Sequence, residues 1–242
     1  NEPMTAGMFL EEEFIYEPGT TLVSNGWIAH SGAGSNSPLV HTEGLMYPGY
    51  PLANGYAGIT SGNGEDVNKV FAGGSITEGS VYTSFLINVT SASTGNGDYA
   101  FHLMPQGSTT NFYGRIFVAK NAEDQLRFGL TKSGNNSSAN IDWTEYDYAL
   151  NTTYLVVLKY EFVSEGGDIV TAWINPPLSN VEPPAQLSAA VSEYDATSIG
   201  AVAIRQSSST PTAIFDGIRV TNDWALLFEG EELPTPVIHT AG

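Results

Sequence analysis

The chain has 242 residues, 41% of them hydrophobic and 14% charged, which is apolar mass enough for a full core. Its 8 lysines and arginines face 26 aspartates and glutamates, a formal charge of −18 that excludes nucleic acid, which needs a basic face, and disfavours anionic membranes. Cysteine is absent, so no disulfide supports the fold, and no apolar run reaches transmembrane length.

Strand-like runs alternate with Gly, Asn, Ser and Pro along the whole chain. Residues 9–16 form the first run. Residues 22–30 hold Trp27 after an Asn25-Gly26 turn, and 31–38 are a loop of small residues. The stretch 45–56 is irregular and rich in Tyr, Pro and Gly, and 66–71 read as a short strand. Residues 80–89 are a buried strand, followed at close spacing by 99–104, 113–119 and 125–131, with turns at 95–97 and 121–124. The strongest apolar run is 154–162. The run 169–175 stops at Pro176-Pro177, and 199–206 and 213–220 close the series. Roughly a dozen strands at this spacing predict a sandwich or barrel, with helix below about 10% and only short helical turns near 223–228. Val81, Phe85, Ile87, Leu155, Val157, Ile204, Ile214 and Ile218 are the expected core. One domain is expected over 1–228, with an acidic, Pro-rich tail or linker over 229–242. The start at Asn1, without Met or an apolar leader, reads as a mature or trimmed product.

Several segments carry a resemblance. They are Phe9-Leu10-Glu11-Glu12-Glu13-Phe14, Gly19-Thr20-Thr21-Leu22, Asn25-Gly26-Trp27, Gly64-Glu65-Asp66-Val67, the runs 81–89, 97–103 and 151–160, Ile204-Arg205-Gln206, and Phe215-Asp216-Gly217-Ile218-Arg219-Val220. In this order they resemble a concanavalin A-like, laminin G-like jelly-roll module of exported Bacteroidetes-type surface proteins, over about residues 9–224. The resemblance implies an all-β, two-sheet antiparallel jelly-roll sandwich, a secreted or cell-surface location reached by type IX export, and pairing of the first strand with the last. It implies no settled ligand.

Three constellations bear chemistry. Glu11, Glu12 and Glu13 with Asp216 are expected where the terminal strands meet. They read either as ligands of a structural calcium, which takes several oxygens, or as an acidic edge that deters strand pairing. Glu145 and Asp147 share a strand face but lack the third carboxylate of sandwich glucanases, so they read as a polar face. The third is aromatic: Trp143, Tyr146, Tyr148, Tyr113 and Trp173 offer faces on which sugars stack, and His102, Arg115 and Gln206 offer hydrogen bonds. The four histidines, His30, His41, His102 and His239, have no metal-ligand spacing, and no serine nucleophile elbow is present. Asn88, Asn135, Asn136 and Asn151 lie in Asn-x-Ser/Thr sequons, which matter only in a host that uses them.

The expected function is a non-catalytic extracellular module, glycan-binding or adhesive, with a glycan or a neighbouring surface protein as partner. The alternative is a structural subunit that self-associates through its termini, where Pro236-Val237-Ile238-His239 would add a strand to a neighbour. A polysaccharide hydrolase or lyase is the third reading.

Overall fold

The computed structural model describes residues 7–52, 55–133, 140–190 and 194–230. Residues 1–6, the sequons at Asn135 and Asn136, and 231–242 with the segment Pro236-Val237-Ile238-His239 lie outside the described residues.

The described chain is 44% strand and 4% helix. Its strands are β1 (Met8–Glu12), β2 (Ile28–Ser31), β3 (Leu39–His41), β4 (Ala57–Ile59), β5 (Asp66–Val70), β6 (Ser80–Ser91), β7 (Asp98–Met104) and β8 (Tyr113–Lys120). They continue as β9 (Gln125–Thr131), β10 (Asp142–Trp143), β11 (Tyr148–Ala149), β12 (Thr153–Glu161), β13 (Ile169–Ile174), β14 (Leu187–Ala190), β15 (Ala201–Ile204) and β16 (Thr212–Thr221). Two eight-stranded antiparallel sheets result. The first runs β14-β13-β12-β6-β16-β4-β3, with β1 on β16. The second runs β10-β9-β8-β7-β15-β5-β2, with β11 on β9. The chain is thus an all-β two-sheet sandwich, one of the two architectures its strand spacing predicts and the one the resemblance implies.

Alternation along each strand builds the core. Val81, Phe85, Ile87 and Val89 of β6 meet Phe101 and Leu103 of β7, Ile116 and Val118 of β8, and Leu126, Phe128 and Leu130 of β9. Phe85 stacks on Phe101 across the sheets at a centroid distance of 4.0 Å, and Phe215 of β16 joins them at 6.2 and 6.3 Å. The expected core residues are buried, with one difference: Ile214 is half-buried.

Leu155 and Val157 are buried on the far side of the first sheet rather than between the sheets. Leu155 packs with Leu45, Tyr50, Leu52 and Leu86, and Val157 with Tyr82, Trp173, Trp224 and Leu227. The irregular stretch that supplies Leu45, Tyr50 and Leu52 therefore covers this sheet's outer face. A 3-10 helix, Trp224–Phe228, covers the rest. Arg219 holds that helix through Nη1, which donates to the carbonyls of Leu226 at 3.2 Å, Leu227 at 3.2 Å and Glu229 at 2.6 Å.

Strand β1 pairs with β16 from Met8↔Thr221 to Glu12↔Ile218, as the resemblance implies. The members of the acidic run have different surroundings. Glu11 is paired with Arg219 at 2.7 Å. Glu12 is buried and accepts from Phe14 N at 2.7 Å, Tyr16 Oη at 2.7 Å and Trp27 Nε1 at 3.2 Å, with Lys69 Nζ at 3.1 Å. That makes it an internal acceptor, not a solvated edge. Asp216 is fully buried and accepts the backbone N–H groups of Leu45 at 2.8 Å and Gly217 at 2.7 Å. Burial pushes its carboxyl up to about 7, with Glu13 and Glu12 adding to the rise. Calcium takes ionised carboxylates with free oxygens. The carboxylates of Glu11, Glu12 and Asp216 are each engaged by protein donors. No group of three or more acidic or histidine side chains able to hold a metal occurs among the described residues.

Candidate functional site

The outer face of the second sheet is built differently. The residues of β7, β8 and β9 that alternate with the core project outward: Tyr99 and His102, Arg115 and Phe117, Arg127, Gly129 and Thr131. Register aligns them. Phe117 lies opposite Gly129 on one side and Tyr99 on the other, Trp143 of β10 lies opposite Gly129, and Arg115 lies opposite Thr131. Gly129 gives Trp143 its seat, since a Cβ there would stand 2.6 Å from the indole Cε3.

Guanidinium groups and rings then alternate across the strands. Arg127 sits over Trp143 at 4.0 Å and Tyr146 at 4.8 Å. Phe117 meets Trp143 at 6.1 Å and Tyr99 at 5.4 Å. Tyr99 carries Arg205 at 4.1 Å and Arg115 at 4.5 Å, and Phe112 lies 5.7 Å from Arg115. His102 packs against Phe112 at 4.3 Å, Tyr99 at 5.6 Å and His30 at 5.9 Å. Ala201 and Ala203 of β15 keep the floor beside His102 shallow.

Charge here opposes that of the whole chain. Of the chain's four arginines, Arg115, Arg127 and Arg205 meet on this face. Arg205 pairs with Asp98 at 3.2 Å, whereas Arg115 and Arg127 have no ion pair among the described residues. Burial lowers the pKa of Arg115, against the raising influence of Tyr99. Burial also pushes His30 down to about 4, with Arg205 adding to the fall, and holds His102 well below the usual imidazole value. Both rings are therefore neutral near pH 7. The Nδ1 of His102 lies 3.2 Å from the Leu103 carbonyl, which places the proton on Nδ1 and leaves Nε2 as a lone pair. Burial raises the Tyr99 phenol and keeps its proton on. The face thus holds cations, rings, a neutral proton acceptor and a phenolic proton donor, of which Trp143, Tyr146, Arg127 and Arg205 are half-exposed and Tyr99, Phe117, Arg115 and His102 are buried.

Four of the expected site residues, Trp143, Tyr146, His102 and Arg115, come together here. The other four do not. Tyr113 lies in the core against Tyr160 at 5.8 Å. Tyr148 packs edge-on to Phe128 at 5.0 Å and Tyr154 at 5.2 Å. Trp173 is on the first sheet, where its Nε1 donates to the Pro184 carbonyl at 2.9 Å. Gln206 is buried and ties two loops together: Nε2 donates to the Asn36 carbonyl at 2.6 Å and Oε1 accepts from Ser61 N at 2.8 Å. Glu145 and Asp147 are exposed. Sequence reasoning missed Arg127, Arg205, Tyr99, Phe117, Phe112 and His30. The signal for the strand residues is parity, since Arg115 and Phe117 alternate with Ile116 and Val118, and Arg127 with Leu126 and Phe128.

No family model matches the chain, and no curated protein matches it in sequence. Solved structures do match. An alginate lyase in complex with alginate trisaccharide aligns at TM-score 0.53 and 11% identity, covering 90% of this chain and 99% of that one. An alginate lyase in complex with alginate tetrasaccharide aligns at TM-score 0.52 and 12% identity, covering 88% and 96%. The sandwich is one that carries an enzyme. An endo-β-1,4-glucuronan lyase from Trichoderma reesei is also similar, at TM-score 0.47 and 12% identity, covering 86% and 94%. At these identities the likeness is one of fold. It overturns the expectation that this chain is no enzyme, because the same architecture over nearly the whole chain serves a lyase.

Proposed function

We propose that the outer face of the second sheet binds a polysaccharide chain and cleaves it, in a protein that works outside the cell. The observation that carries this is the row Trp143-Arg127-Phe117-Tyr99-Arg205, in which rings and guanidinium groups lie together across neighbouring strands, with Trp143, Tyr146, Arg127 and Arg205 half-exposed to a ligand and Phe117 and Tyr99 buried. A sugar chain crossing the strands would meet a new side chain at about every 4.8 Å. Cleavage is favoured by one further arrangement: neutral His102 packs on Tyr99, and Arg115 lies over the same phenol ring. Proton acceptor, proton donor and cation are the groups that bond scission at a sugar needs. The likeness in fold to an alginate lyase supports the reading, and export rests on the resemblance to surface modules. No helix among the described residues is long and apolar enough to cross a membrane.

The test is a panel of plant and algal polysaccharides, scored for retention of the protein and for new chain ends. Retention by at least one polymer is expected, weakened about tenfold in Trp143→Ala through loss of one stacked ring. Silence across the panel from a folded protein would sink the proposal. Binding without new chain ends would remove its catalytic half.

A further inference from the structure

Buried polar side chains are almost always hydrogen-bonded, so those left without a partner point to something that belongs there. Among the described residues nine buried side-chain atoms lack a partner, and five lie on the outer face of the second sheet: Arg115 Nε, Thr131 Oγ1, His102 Nε2, Arg127 Nε and His30 Nε2. Three of these cluster. Thr131 is the direct cross-strand neighbour of Arg115, and His102, on the next strand, shares the Phe112 ring with Arg115. A guanidinium edge, a hydroxyl and an imidazole lone pair are thus desolvated close together on β8, β9 and β7 respectively.

We infer that Arg115, Thr131 and His102 form a subsite that reads the carboxylate of an acidic sugar, so that the polysaccharide bound on this face is a polyuronate rather than a neutral glycan. This rests on the glycan-binding reading of the face. The donor set decides the ligand class. Arg115 presents Nε, one arm of the planar fork that matches a carboxylate in two parallel hydrogen bonds. Thr131 Oγ1 supplies a further donor beside it. His102 Nε2 accepts, which suits a ring hydroxyl of the same sugar and would repel a second carboxylate. A neutral sugar would leave Arg115 a buried, uncompensated cation. Arg205 already has Asp98, and Arg127 stands at the rim between Trp143 and Tyr146, so Arg115 is the cation the subsite is built around. Phe112 is half-buried over both Arg115 and His102 and is the ring a bound sugar displaces.

The experiment compares alginate and polygalacturonate with the same polymers after reduction of their carboxyl groups to alcohols, by titration calorimetry at low and high salt. The wild type should bind a polyuronate about tenfold or more tighter than its reduced form, an advantage that shrinks with salt. In Arg115→Gln the ratio should fall toward one, and Arg115→Lys, which keeps charge but not the fork, should fall between. If Arg115→Gln does not fold, Thr131→Val removes one donor at constant shape and should also cut the ratio. Equal affinity for native and reduced polymers overturns the subsite while the glycan-binding reading stands. A preference that survives both Arg115→Gln and Thr131→Val overturns it as well. Failure to bind any polysaccharide, charged or neutral, takes down both readings.

Discussion

His102 is fully enclosed, with His30, Arg115, Arg205, Tyr99 and Phe112 around it. In the unfolded chain each histidine titrates near 6.5, while in the fold His30 is pushed down to about 4 and His102 well below its usual value. Between those limits the unfolded state binds more protons than the native one, so this part of the stability is present above 6.5 and is lost as the pH falls toward about 4. Asp216 works the other way. Its carboxyl is raised to about 7, so its share is full below the unfolded value of 3.8 and disappears as pH rises through 7. Asp66, whose carboxyl burial also raises, adds to the aspartate side. On acidification below 6.5 the melting temperature of His102→Gln should fall by less, or rise by more, than that of the wild type. Melts followed by circular dichroism across that range are the check; parallel slopes in the two proteins would mean that His102 is charged in the fold.

At the scale of the strand, parity explains both the successes and the misses. The run 154–162 is apolar up to Leu158 and again at Tyr160 and Phe162, broken only by Lys159 and Glu161, because β12 is covered on both faces: Tyr154, Val156, Leu158 and Tyr160 face the core, and Leu155 and Val157 face the covering segments. Strands β8 and β9 alternate instead, since their outer face carries the site. Strand β16 depends on one glycine. Gly217 has φ +55°, and a Cβ there would stand 2.1 Å from the Leu52 carbonyl oxygen and 2.9 Å from the Tyr50 ring. Tyr50 Oη also donates to the Gly217 carbonyl at 2.6 Å, so the covering segment is seated on this residue. Gly217→Ala combines left-handed strain with displacement of that segment and should cost at least about 2 kcal/mol, read as a lower urea midpoint. An unchanged midpoint would show that the cover does not sit against β16.

For the whole molecule the decisive feature is segregation of charge. The chain carries −18 overall, yet three of its four arginines collect on one face, which draws an anionic ligand to that place and keeps it off the rest of the surface. Where the terminal strands meet, Glu11 and Glu12 are neutralised by Arg219 and Lys69. Added calcium and added chelator should accordingly leave the melting temperature of the native protein unchanged. A drop with chelator that vanishes in Asp216→Ala would restore the calcium site, because a ligand bound to the native state alone raises stability by about 2.7 kcal/mol at a hundred times its Kd.

The sequence by itself determined the all-β class, most strand positions and most of the core, because strand spacing, turn residues and alternating burial are local properties of the chain; the jelly-roll choice and the pairing of the first strand with the last rested on the resemblance. Only the tertiary structure decided which aromatic and basic side chains meet. Trp143 and Trp173 are equally plausible sugar platforms as sequence, but one lies on the outer face of the second sheet beside Arg127 and the other under Trp224 on the first. Arg115, His102 and Thr131 are separated in the chain and become neighbours through the register of β7, β8 and β9. Long-range pairing of this kind leaves no mark on the spacing of residues along one strand. Sequence gave the site its parts, and cross-strand register gave it its arrangement.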